Sequence, residues 1–156
     1  MQGFEPHEPI LSIGLAAQRT GLAVPTLRLY ESEGLIIPFK TPTNRRLFSS
    51  EDLERIECVR ELIHQEGLNF AGIRWLLSAL PCWELGGCPE CDVRPKLECA
   101  TFSSTGEPCW VVMRKLGKKT DEECRNCPVY RSAYKRVRLL RRVVVDLAVQ
   151  RKVGTS

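Results

Sequence analysis

The chain of 156 residues has no apolar run approaching the roughly 20 residues needed to span a bilayer. Its first residues, Met1 to Pro9, carry acid and proline where a secretory signal has a basic start and an apolar core. The expectation is therefore a cytoplasmic chain without a membrane partner, whose thiols stay reduced. Histidine is scarce: His7 and His64 are the only two. There is no Ser/His/Asp arrangement, no glycine-rich phosphate loop and no carboxylate pair set in an apolar stretch, so an enzyme is not expected. Nor is there a large charge excess. A net charge of +4 does not by itself imply a nucleic-acid partner.

What is present is unevenly placed. Residues 1–80 hold 8 basic and 10 acidic side chains, and residues 81–129 hold 7 and 8. Residues 130–156 hold 8 and 1, so the positive charge is confined to the last segment. Cysteine is as uneven. Of the 8 cysteines, Cys58 stands alone, and Cys82, Cys88, Cys91, Cys99, Cys109, Cys124 and Cys127 are crowded together. The length fits one ordinary domain, or a small domain with an appendage.

Residues 10–80 read as helices around one non-helical stretch. Ser12 is set to cap a short helix carrying Ile13, Ala16 and Ala17, which Gly21 ends. A second helix runs from Val24 to Ser32, with Pro25 in its first turn and Gly34 after it. From Leu35 to Phe48, prolines, threonines and an asparagine alternate with apolar residues, the pattern of a small hairpin or wing. Ser50 is taken as the cap of the next helix, with Glu51 and Asp52 near its positive end. Its stripe is Leu53, Ile56, Val59 and Ile63, and Gly67 follows. Asn69 caps a last short helix bearing Ile73, Leu76, Leu77 and Leu80, closed by Pro81.

This order is that of a winged helix-turn-helix. It resembles the MerR family of transcriptional regulators, through Leu11-Ser12-Ile13-Gly14, Thr26-Leu27-Arg28-Leu29-Tyr30-Glu31-Ser32-Glu33-Gly34-Leu35, Asn44-Arg45-Arg46-Leu47-Phe48-Ser49 and Asp52-Leu53-Glu54-Arg55-Ile56. The resemblance implies a sequence-specific regulator that binds double-stranded promoter DNA, acts as a homodimer and engages RNA polymerase at the promoter. The second helix of such a motif enters the major groove, which points Thr26, Arg28 and Tyr30 at DNA. Arg28 has the fork for guanine or phosphate, and Tyr30 is assigned a backbone contact. The wing is expected to set Arg45 and Arg46 against phosphates with Lys40 nearby, and Thr43 and Asn44 add neutral hydrogen bonds. Two positions depart from the family pattern. Leu29-Tyr30 stands where a pair of aromatics is usual, and Arg45 replaces a wing tyrosine.

Residues 81–129 carry proline, glycine and scattered charge with little periodicity, so their own core must be small and a staple is needed. Cys88-x-x-Cys91 and Cys124-x-x-Cys127 are two chelating pairs, since a two-residue gap lets both sulfurs reach one metal. Each is preceded by a Cys–Trp pair, Cys82–Trp83 and Cys109–Trp110, similar to bacterial cysteine-rich modules of the two-CW type. With no histidine in the segment, ligation would be all-thiolate: an iron–sulfur cluster first, zinc second, a thiol redox switch third. The two pairs lead as ligands, followed by Cys99 and Cys109, with Cys82 last. The two tryptophans would shield a cluster or fill the segment's small core. Cys58 is read as packing.

Tyr130, Ala133, Val137, Leu140, Val144 and Leu147 step by three and four along a basic helix over 130–152. We expect this seam either to pair with a second chain as an antiparallel coiled coil or to pack on its own chain. Its arginines would lie along DNA or meet Glu51, Glu54 and Glu57. The expected architecture is mainly α: a winged helix-turn-helix (10–80), a small cysteine-rich metal-stapled segment (81–129) and a C-terminal helix (130–152). The mechanism that follows is allosteric, with chemistry at the thiolates altering the angle between two wings. Two other classes compete: a small cysteine-rich redox or metal-binding protein, and an excisionase-like factor that bends DNA.

Overall fold

The computed structural model describes residues 5–79, 99, 101 and 106–153, with side chains described to residue 143. The chain begins with β1 (Leu11–Ser12), α1 (Ile13–Thr20) and α2 (Val24–Ser32), followed by β2 (Phe39–Lys40) and β3 (Arg46–Phe48). Then come α3 (Ser50–His64) and α4 (Phe70–Ser78). Beyond the undescribed stretch lie α5 (Cys109–Lys115), α6 (Asp121–Asn126) and the long α7 (Pro128–Val153). The sheet has the order β1-β3-β2, both pairings antiparallel, with Leu11 opposite Phe48 and Lys40 opposite Arg46.

Local chemistry accounts for most boundaries. The Ser12 hydroxyl accepts from the Leu15 N–H at the start of α1, and Gly21 ends it at φ 67°. Pro25 lies in the first turn of α2, where its missing N–H has no intrahelical partner to lose. The cap of α3 is Ser49, one residue before the expected Ser50. Asp52 at the third helical position completes a reciprocal capping box with it. Asn69 caps α4 through the Gly72 N–H. The strand β1 was not expected. Its two residues pair on β3 and tie the start of α1 to the wing.

The larger departure is in residues 106–137. The sequence makes them part of a separate module and seam, yet they join the core of the helix-turn-helix. Trp110, Val111, Cys124, Tyr130, Ala133, Tyr134 and Val137 share one buried cluster with Leu27, Ile56, Val59, Ile73 and Phe48. The reason lies in residues 34–37, which run buried between α2 and β2 without a strand neighbour. Leu35, Ile36 and Ile37 are at most 1% exposed. Their backbone groups must find partners away from water. The Trp110 indole donates to the Gly34 carbonyl (2.8 Å), and the Tyr134 hydroxyl donates to that of Leu35. The Ile37 N–H donates to the Tyr130 hydroxyl (2.7 Å), and Arg125 donates to the Ile37 carbonyl (2.7 Å). Trp110 therefore fills the core of the DNA-binding half, and does not merely plug a small core of its own. Gly34 is required where it stands: at φ +73°, a Cβ there would come within 2.6 Å of Val111 Cγ2.

The same packing favours the second of the two expectations for the first part of the C-terminal seam. Tyr130, Ala133 and Val137 are buried within their own chain, where α7 packs on α3 and α4. Leu140 is 47% exposed, and Val144 and Leu147 lie beyond the described side chains. The basic residues of α7 meet acids as anticipated at Glu51, which pairs with Arg131, and otherwise at other positions: Arg138 pairs with Glu61 and Arg141 with Glu66.

These contacts give a stability test. Tyr130→Phe keeps the ring and its packing but leaves the buried Ile37 N–H without its acceptor. It is expected to lower the unfolding free energy by about 1–3 kcal/mol in urea or thermal melts. A variant as stable as the parent would show that this N–H finds another partner.

Candidate functional site

α2 lies where a helix-turn-helix presents its groove-entering element, and its side chains divide by period. Leu27 and Tyr30 face the core, at 1% and 2% exposure. Arg28 and Leu29 face outward, and Thr26 is half-buried. The structure thus corrects one expected DNA contact. Tyr30 stands edge-on to Phe70 at 6.0 Å between ring centroids, and burial raises its hydroxyl pKa against the opposing pull of Arg60. It is a packing residue.

The wing turn is built by its own side chains. The Thr41 N–H donates to the Arg45 carbonyl (3.0 Å), and the Arg45 N–H donates to the Thr41 hydroxyl (3.0 Å). Thr41 and Thr43 share a hydroxyl hydrogen bond (3.0 Å). Asn44 takes φ +60°, a left-handed conformation that asparagine accepts more readily than most residues. The turn leaves Thr43, Asn44 and Arg45 exposed. Arg28 and Arg45 have no ion-pair partner among the described residues.

Lys40 and Arg46 are in a different state. They stand opposite each other across β2 and β3, where like charges repel. Glu31 on α2 lies between them, with Oε1 3.1 Å from Lys40 Nζ and Oε2 2.5 Å from Arg46 Nε. Lys40 also meets Asp121 of α6 at 3.1 Å, and Asp121 in turn meets Arg114 of α5 at 2.9 Å. Partial burial opposes the charge on Asp121, but Arg114 and Lys40 outweigh it and hold this carboxyl below the ordinary aspartate value. Burial likewise opposes the Lys40 charge, and Asp121 and Glu31 reverse the balance and raise its pKa. Both wing cations are already partnered within the chain.

Of the seven clustered cysteines, Cys82, Cys88 and Cys91 lie outside the described residues, and with them the first chelating pair and Trp83. Among the described residues no group of three or more His, Cys, Asp or Glu side chains comes together as a metal site. Cys124 is 2% exposed on α6, its Sγ 3.9 Å from the Trp110 carbonyl, and Cys127 follows that helix half-buried. Burial raises the Cys124 thiol pKa, with Arg114 and Lys119 opposing. Cys58 is buried on α3 as expected, and its thiol pKa is also raised by burial.

Sequence reasoning missed the buried ion group behind the wing. Asp52 receives Arg55 (2.9 Å) on one oxygen and Arg125 (2.6 Å) on the other, and Arg55 lies 3.9 Å over the Tyr130 ring. The helix-start signal identified Asp52 as a dipole partner, but nothing local to it pointed to an arginine 73 residues away.

This fold, with its groove-facing helix and wing, defines a winged helix-turn-helix DNA-binding domain. Residues 11–80 match the family model described as MerR HTH family regulatory protein, and they constitute a MerR-family helix-turn-helix domain. Over 70 residues the chain is 39% identical to a protein of Streptomyces coelicolor named as heat shock protein HspR, covering 45% of this chain and 46% of that one. Over 69 residues it is 39% identical to the HTH-type transcriptional regulator GlnR of Bacillus anthracis and of Bacillus cereus, covering 44% of this chain and 53% of each. The chain thus spans about half the length of the curated relatives it matches, and the family-model match stops before α5.

Burial ranks the thiols. In the reduced, metal-free protein at neutral pH, iodoacetamide is expected to modify Cys127 before Cys124 and Cys58, because the thiolate is the reacting form and needs access. Peptide mass mapping over time reads the order. Equal rates at the three would contradict their placement.

Proposed function

We propose that the protein is a transcriptional regulator that binds double-stranded promoter DNA through α2 and the wing turn. The observation that carries this is the pair of exposed arginines without ion-pair partners among the described residues, Arg28 on α2 and Arg45 in the wing, on a MerR-type domain. Arg28 is suited to a guanine edge or a phosphate, and Thr26 borders it. Arg45 is suited to phosphate, with Thr43 and Asn44 beside it as neutral donors. The related proteins named as transcriptional regulators support the same class.

Action as a homodimer, with RNA polymerase engaged at the promoter, belongs to the same proposal. Its support in this chain is the exposed apolar run Leu139, Leu140 and Val143, which begins where α7 leaves its intrachain packing. We also propose that the clustered cysteines hold an all-thiolate iron–sulfur cluster or zinc. Support comes from the two CxxC spacings and from the position of Cys124 and Cys127 at one end of α6. The described residues do not supply a full ligand set, so such a site needs Cys82, Cys88 or Cys91.

Two measurements test this. In DNA titrations over a range of salt, Arg45→Ala should weaken binding to all duplexes alike and make the salt slope shallower by about 0.9 per protomer. Arg28→Ala should cost about 1–3 kcal/mol on the preferred sequence and relax discrimination there. Unchanged affinity in both would remove this surface. For the thiolates, anaerobically purified protein is expected to contain iron with visible absorption, or zinc without colour. A folded, metal-free, colourless protein would remove both forms.

A further inference from the structure

We propose that Asp121, on the cysteine-bearing helix α6, competes with DNA phosphate for the wing cation Lys40 and so holds part of the DNA-binding charge in reserve. This inference rests on the proposed DNA-binding role of the wing, and it goes further by assigning a controlling contact outside the family-matched residues. Five charged groups alternate in sign from the wing to α5: Arg46, Glu31, Lys40, Asp121 and Arg114. Glu31 alone would neutralise one charge of the opposed Lys40–Arg46 pair and leave that pair one positive charge. Asp121 adds a second carboxylate at 3.1 Å from the same ammonium, leaving Lys40 partnered on two sides. A phosphate approaching Lys40 must displace Asp121 or accept its repulsion. At 37% and 40% side-chain exposure, Lys40 and Asp121 are open enough to exchange partners without unfolding the wing.

The position of Asp121 makes this contact adjustable. It is the first residue of α6, directly after the capping residue Thr120, and Cys124 follows one turn later. Arg125, next on that helix, grips the Ile37 carbonyl and Asp52. The helix is thus fixed at its far end beneath the wing, while its first residue holds the wing cation. A change in the tilt of α6 alters the Lys40–Asp121 distance without breaking the core.

The test uses the full chain and a fluorescein-labelled mixed-sequence DNA duplex, titrated across a range of potassium chloride concentrations. Asp121→Asn is close in shape and should preserve the fold, which a thermal melt checks. It is expected to bind more tightly by up to about fivefold, with a salt slope steeper by about 0.9 per protomer. Glu122→Gln makes the same charge change at the neighbouring exposed residue, which has no ion-pair partner among the described residues, and should shift affinity less and leave the slope unchanged. Lys40→Ala should have little effect alone and should abolish the gain when combined with Asp121→Asn. The proposal is overturned if Glu122→Gln matches Asp121→Asn, or if the gain persists without Lys40, since general electrostatics or the released Arg114 would then explain it. A parent protein that binds no duplex at any salt would instead overturn the DNA-binding role itself.

Discussion

The structure depends on satisfying the backbone of four buried residues, 34–37, which connect the groove-facing helix to the wing. Extended chain in a core normally pairs with a neighbouring strand, and here there is none. An unpaired buried amide or carbonyl costs about 1–3 kcal/mol, so leaving four groups without partners would remove a large share of a small domain's stability. Trp110, Arg125, Tyr130 and Tyr134 supply the missing partners from three helices beyond the matched domain. Their side chains are apolar along most of their length and polar at the tip. They fill the core and end on a hydrogen bond. This requirement fixes where α5, α6 and the start of α7 lie relative to α2 and the wing.

Asp52 sets the orientation of that assembly. A carboxylate at 2% exposure carries a heavy desolvation penalty, and it is retained through four contacts: the Ser49 N–H and hydroxyl and two guanidiniums. Buried ion pairs of this kind are weak contributors to net stability against a well-packed apolar alternative, but they tolerate few geometries. Arg125 satisfies Asp52 and Ile37 together, so the direction of α6 is specified more tightly than apolar contact alone would specify it. Arg55 is held over the Tyr130 ring, and its Nε has no hydrogen-bond partner among the described residues. The attraction of the ring face for the guanidinium offsets part of that loss.

What was legible in the amino-acid sequence was local. The cap at Ser12, the stop at Gly21, the proline in the first turn of α2 and the asparagine before α4 each act over four residues or fewer. The family resemblance over residues 10–80 was likewise carried by short motifs in order, Leu11–Gly14, Thr26–Leu35, Asn44–Ser49 and Asp52–Ile56. The helix Pro128–Val153 announced itself by its period, but the period could not tell which surface it buries. A seam of Tyr130, Ala133 and Val137 serves an intrachain core as well as a coiled coil, because both require only an apolar stripe. Lys40 and Arg46 looked like free wing cations for a related reason. Their neutralising partners, Glu31 and Asp121, are 9 and 81 residues from Lys40 in the chain, and charge counting over a segment does not see them. Tyr30 was misplaced because the helical period allows two outward positions near Arg28, and only the packing against Phe70 decides that Tyr30 faces in.

The partnering of the wing charges bears on how such a domain would bind. Sequence-independent affinity comes mainly from cations that displace counterions at phosphates, about one unit of salt slope for each. A domain near neutrality overall, with Lys40 and Arg46 already paired, has few such cations on α2 and the wing. Under the proposed role its affinity for arbitrary DNA would be correspondingly low, and more of the discrimination would fall to base-edge contacts by Arg28 and Thr26. Two protomers on adjacent half-sites would double a small electrostatic term, so occupancy would depend strongly on pairing. Under these conditions one additional phosphate contact is a large fraction of the electrostatic total. A single carboxylate poised against Lys40 then has leverage that it would lack on a strongly basic domain.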